Sequence, residues 1–157
     1  MQRRALTGLA LGLLFAETSF LLADGKDKEA AVKKDREKMK GTWTVASLVM
    51  NGNKVPEGEL TKLKIHIAAD GAMTVQREGK TIIQTTTKID PGKKPKAIDV
   101  TYTMGDLKDQ SAQGIYEIDG DTVKYCRGAP GKDRPSEFAA KEGSGNIFAI
   151  YKREKAK

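Results

Sequence analysis

From Gly41 onward the chain is written in period two. Leu63, Ile65 and Ile67 stand on one side of their run, with Lys64 and His66 on the other. Ile98, Val100 and Tyr102 oppose Asp99 and Thr101; Gly114, Tyr116 and Ile118 oppose Ile115 and Glu117; Val123 and Tyr125 oppose Lys124 and Cys126. Successive side chains alternate faces only in an extended strand, so each run reads as a strand with one apolar face. The runs are Thr42–Met50, Lys62–Ala68, Ala72–Arg77, Thr81–Ile89, Ala97–Thr103, Ser111–Ile118, Thr122–Arg127, Ser136–Ala140 and Asn146–Lys152. Between them lie Asn51-Gly52-Asn53, Asp70-Gly71, Glu78-Gly79, Pro91-Gly92, Gly105-Asp106, Asp119-Gly120, Pro130-Gly131 and Gly143-Ser144-Gly145, all turn chemistry. No connection has room for a crossover helix, so the strands should run antiparallel as a meander. Eight or nine short strands with one apolar face close most economically as an all-β barrel, because closure removes exposed edges.

Composition narrows the chemistry. A single cysteine, Cys126, excludes a disulfide framework and a Cys-rich zinc module, and a single histidine, His66, excludes a His-based metal cluster. No metal site and no cofactor is expected, and no paired acid–base constellation marks an enzyme. The net charge of +7, from 28 Lys+Arg against 21 Asp+Glu, is spread over strands, turns and both ends, as solvated faces are. There is no interleaving of Arg with aromatic residues of the kind that single-stranded nucleic acid needs, so nucleic acid is not an expected partner.

The first residues stand outside this pattern. Arg3 and Arg4, the uncharged run Ala5–Ala16 and the small residue Ala23 read as an export signal over Met1–Ala23, placing the mature protein in the periplasm or outside the cell. The competing reading is an uncleaved membrane anchor over Ala5–Leu22, which Glu17 interrupts. Residues 24–40 follow as a charged lead-in, either a linker or a short solvated helix, with Val32 and Met39 seven apart as its one apolar stripe. The barrel domain should then occupy residues 41–154.

Gly41-Thr42-Trp43 opens the first strand, and its G-x-W resembles the first lipocalin signature. Gly41-Thr42-Trp43-Thr44-Val45, Lys93-Lys94-Pro95-Lys96-Ala97-Ile98-Asp99, Gly114-Ile115-Tyr116-Glu117-Ile118-Asp119-Gly120-Asp121 and Ala129-Pro130-Gly131-Lys132-Asp133-Arg134-Pro135 extend the likeness. In this order they are similar to the uncharacterised lipocalin-like domain family abundant in planctomycete bacteria. The resemblance implies a lipocalin-like barrel and an exported protein, but no reaction. It also implies a barrel-closing pair, Trp43 capped by Arg153, with Lys152 as the other candidate cation. The chain departs from ordinary lipocalins in lacking paired cysteines, a clear second motif and a segment for a helix after the last strand.

The inward set Ile65, Ile67, Val100, Tyr102, Tyr116, Val123 and Tyr125 is the candidate ligand-binding interior. Tyrosines suit a ligand-lined calyx. They suit equally a filled core in which each hydroxyl finds a backbone carbonyl. The expected function is a monomeric, exported binding module that holds a small apolar or amphipathic molecule. The alternative is a filled barrel that acts on a protein or cell-envelope partner through its basic surface. Lys132 and Arg134, in the stiff loop Gly128–Pro135, are candidate anion or partner contacts, unless Asp133 neutralises them. His66 reads as a solvent-facing strand residue, Cys126 as a strand cysteine or a reactive thiol, and Asp119-Gly120-Asp121 as a hairpin turn.

Overall fold

The structure is a computed structural model that describes residues 17–155. A helix α1 (Glu17–Met39) leads into nine strands: β1 (Gly41–Met50), β2 (Asn53–Lys54), β3 (Leu63–Ile67), β4 (Ala72–Arg77), β5 (Lys80–Asp90), β6 (Lys96–Tyr102), β7 (Ser111–Asp119), β8 (Thr122–Arg127) and β9 (Ile147–Arg153). A one-turn helix α2 (Glu57–Leu60) lies between β2 and β3. All neighbouring strands pair antiparallel in the order β2-β1-β3-β4-β5-β6-β7-β8-β9, and β9 returns to β1. Eight strands thus form a closed barrel, and β2 is an extra strand beside it.

The meander follows from its turns. At Glu78-Gly79 both residues take positive φ, 50° and 80°, directly between the paired Arg77 and Lys80. That is the twist a two-residue hairpin needs, and glycine adopts it without a Cβ penalty. β1 pairs β3 only through Thr44, then folds back on β2. Leu60 of α2 packs against this part of the wall and is buried.

Two sequence expectations change. The run Ser136–Ala140 is not a strand; it belongs to an irregular connection between β8 and β9. Its alternation reflects a different job. Ala97, Ile115, Cys126 and Phe148 lie in register across the outer face of β6, β7, β8 and β9. The first three are buried, and the connection covers them: the rings of Phe138 and Phe148 lie 6.1 Å apart, and the Cys126 thiol donates to the Ala139 carbonyl at 3.4 Å. The barrel therefore carries a second apolar layer outside one wall. Burial pushes the Cys126 thiol above its ordinary pKa, partly offset by the Ala139 contact. We expect Cys126 to react with a charged thiol reagent at least roughly a hundredfold more slowly in the native protein than in denaturant. Equal rates in a stopped-flow assay would show that the connection does not cover it.

The second change concerns residues 24–40: they are helical to Met39, as one of the two readings has it, and residues 24–30 are exposed, but the last turns are docked rather than solvated. They form the C-terminal part of α1, docked on one end of the barrel with Asp35 and Met39 both buried. Val32 packs against the core beside buried Met39, the stripe that their seven-residue spacing marks, and polar contacts add to it. Lys96 Nζ and the Tyr116 hydroxyl donate to Asp35 Oδ2 at 2.7 and 2.8 Å, and Lys28 Nζ reaches Asp90 at 3.1 Å. Arg36 donates to the hydroxyl of Thr87 at 2.6 Å and to its carbonyl. Its guanidinium passes over Gly71, where a Cβ would collide with it. The export-signal and anchor readings fall mainly on residues 1–16, outside the described residues. Among the described residues no helix is long and apolar enough to cross a membrane.

Candidate ligand-binding cavity

The inward faces of the strands divide the interior in two. At the end covered by α1 the interior is filled by Met39, Trp43, Ile89, Ile98, Tyr116 and Val123, all buried. The Trp43 indole donates to the Met39 carbonyl at 2.8 Å, and the Arg153 guanidinium lies 4.2 Å from its ring centre. Trp43 and Arg153 are register partners on β1 and β9, so the pairing places one over the other. Arg153 also holds Asp121 at 3.0 Å, the Lys40 carbonyl at 2.9 Å and the Lys38 carbonyl. Lys152 is exposed. Asp119-Gly120-Asp121 is a tight hairpin turn whose last carboxylate serves this arginine.

The opposite end holds a cavity of about 410 Å³. Val45, Leu48, Leu63, Ile65, Met73, Val75, Ile83 and Val100 supply its apolar wall, and Tyr102, Tyr125, Tyr151, Thr85 and Arg127 a polar sector. Met50 and Ile82 stand at its mouth, 44% and 46% exposed. Ile82 is out of register because β5 bulges there, opposite Val75 and Gln76. Glu59 also lines the mouth, but it is occupied: Lys62 donates to it at 2.8 Å and Arg77 pairs with its other oxygen. Those partners, Lys62 first, hold its carboxyl below the usual range.

Of the seven interior candidates, Ile65, Val100, Tyr102 and Tyr125 line the cavity. Ile67, Tyr116 and Val123 do not. Tyr116 and Val123 belong to the filled end, and Ile67 packs at the edge of the core. The tyrosines therefore part company. Tyr116 has its hydroxyl satisfied by Asp35, whereas Tyr102 and Tyr125 line the cavity with hydroxyls that are buried and have no hydrogen-bond partner among the described residues. Thr85 Oγ1 is a third such hydroxyl on the same wall.

Sequence reading missed Arg127 and Thr85, although the signal was present. Val123, Tyr125 and Arg127 share strand parity, and so do Ile83, Thr85 and Thr87. Arg127 closes its run, so it reads as a polar strand end despite its inward parity. Its guanidinium lies 5.5 Å from the Tyr102 ring centre, and Nη1 donates to the Gly128 carbonyl at 3.1 Å. Burial raises the phenol pKa values of Tyr102, Tyr125 and Tyr151, and Arg127, which lines the same cavity, pulls all three back. Gly114, directly across from Arg127 in the ladder, gives it room. A Cβ there would lie 3.0 Å from Arg127 Cβ and 2.6 Å from the Cys126 carbonyl.

The loop candidates take other roles. Lys132 is exposed. Arg134 is a strap on the outer wall, not a contact at the mouth. It donates to the carbonyls of Gly114 and Ile98 at 2.6 and 3.1 Å and pairs with Asp99 at 2.7 Å, rather than with Asp133. His66 bridges β1 and β4 through Thr42 Oγ1 and Gln76 Oε1, both at 3.1 Å. No protein-family model, no curated protein and no solved structure matches the chain.

Proposed function

We propose that the protein is a lipocalin-like binding module that holds a small apolar or amphipathic molecule in the open end of its barrel. The observation that carries this reading is the division of the interior. One end is packed solid around Trp43, while the other keeps a cavity of about 410 Å³ under a mouth fringed by exposed Met50 and Ile82. Small-molecule sites are mostly apolar concavities of roughly 300–1,000 Å³ with a few placed polar groups, and this one has that size and make-up. A barrel built only for stability would gain by closing such a void, since unfilled apolar volume costs stability. The filled-barrel alternative has no comparable feature in its favour. In the same reading the chain is exported through Met1–Ala23, and the lead-in stays with the domain as its end cap.

Native mass spectrometry of the protein purified from an exported fraction without denaturant tests this. A bound mass that is lost on denaturation is expected. A clean apo mass, together with no change in tyrosine fluorescence on titration with fatty acids, retinoids or haem, would sink the proposal.

A further inference from the structure

Three hydroxyls without partners on one cavity wall are unusual, because buried polar groups in folded proteins are nearly always hydrogen-bonded. Thr85, Tyr102 and Tyr125 are 3%, 4% and 6% exposed, so bulk water does not serve them in place of a partner. Leaving such groups unmatched opposes folding, and a ligand head that the side chains turned to meet would recover that loss. Hydroxyls can give or accept, so they do not fix the sign of the ligand group. The charges do. Among the described residues lining the cavity the charged groups are Glu59, Arg77 and Arg127. Glu59 and Arg77 pair with each other, which leaves Arg127 without a carboxylate within salt-bridge distance among the described residues. A partly buried guanidinium set among phenols, with one carbonyl contact, has donors to spare for a planar two-oxygen anion.

We infer that the cavity takes an amphipathic monocarboxylate, its head against Arg127 and the hydroxyls of Tyr102 and Tyr125, its chain along the apolar wall. This rests on the binding reading above and names the ligand class for that same site. One free cation matches one carboxylate; a phosphate dianion would ask for a second, and Arg77 is already committed to Glu59. An amine would place like charge beside Arg127. The opposite wall, from Val45 and Leu48 to Val75 and Ile83, is apolar and suits a hydrocarbon tail. The absence of a Cβ at Gly114 keeps the arginine inside the barrel wall rather than forced away from it.

The experiment is calorimetric titration of the wild-type protein with decanoate and decanol, which share a chain and differ in the head. Decanoate should bind at least roughly tenfold more tightly, as a charge-assisted contact with two donor groups implies. In Arg127→Met the preference should collapse to within about threefold, while Arg127→Lys should retain part of it through the charge. The Tyr102→Phe/Tyr125→Phe double variant should weaken decanoate more than decanol. Circular dichroism checks that each variant folds, and the wild-type comparison stands even if one does not. Equal wild-type affinities, or a preference that survives Arg127→Met, would overturn the carboxylate assignment and leave the cavity reading in place. No binding of either compound would overturn the carboxylate assignment, and together with a clean apo mass and no response to retinoids or haem it would overturn the cavity reading as well.

Discussion

Replacing Trp43 with alanine is expected to remove about 3–5 kcal/mol of folding stability, the largest single-residue effect we anticipate. The side chain is wholly buried in the filled end of the barrel. Three separate losses coincide in the variant. The indole's apolar surface leaves a cavity that Met39 and its neighbours, fixed by helix and strand, are poorly able to close. The Met39 carbonyl at the last turn of α1 loses the indole N–H that now reaches it at 2.8 Å. The Arg153 guanidinium loses the ring face below it, although its contacts with Asp121 and two backbone carbonyls hold it in place. Trp43→Phe separates these contributions. It keeps an aromatic face for Arg153 and most of the volume, so it should cost less than half as much. Chemical denaturation followed by circular dichroism gives both numbers. A loss below about 1 kcal/mol for Trp43→Ala would show that this end of the barrel is not packed as described.

The barrel was legible because its causes are local. Alternation assigned Ile65, Val100, Tyr102 and Tyr125 to the inside, and Gly-containing turns separated the strands. Two things were not legible for one shared reason: period-two reasoning ranks residues by apolarity on one face. Ala97, Ile115 and Cys126 face outward, and only the tertiary placement of the β8–β9 connection buries them. The residues of that connection, Ser136–Ala140 among them, consequently looked like a strand. Asp35 and Arg36 are charged, and a helix carrying them reads as solvated until its partners Lys96, Tyr116 and Thr87 are seen across the barrel end. The cavity itself was beyond sequence. Parity says which side chains point inward, but not whether their volumes fill the space between eight strands. Tyr116 and Tyr125 are opposite one another in the β7–β8 ladder, yet one is tied to Asp35 and the other lines the void.

Asp35 is where α1 is fixed to the barrel, and Asp35→Ala is expected to cost about 2–3 kcal/mol. Asp35 is 4% exposed, and its carboxylate receives both Lys96 and the Tyr116 hydroxyl on one oxygen. Its two partners fare differently when it is removed. The Lys96 side chain is 39% exposed, so water takes over its ammonium and its share of the loss is small. Tyr116 is 1% exposed, and its hydroxyl would be left buried without an acceptor. Burial first, and then the hydrogen bond to Asp35, push that phenol far above its ordinary pKa. Most of the cost therefore lies in the Asp35–Tyr116 contact. A double-mutant cycle with Tyr116→Phe isolates it: the second substitution should be nearly free once Asp35 is gone, because the orphaned hydroxyl goes with it. The structural consequence is release of the last turns of α1. Arg36 and Lys38 should become accessible to trypsin before the barrel unfolds, and Trp43 fluorescence should shift as its hydrogen bond to Met39 loosens. Additive single-mutant costs, with no earlier tryptic cleavage, would place the anchoring of α1 elsewhere, in Arg36 and Thr87.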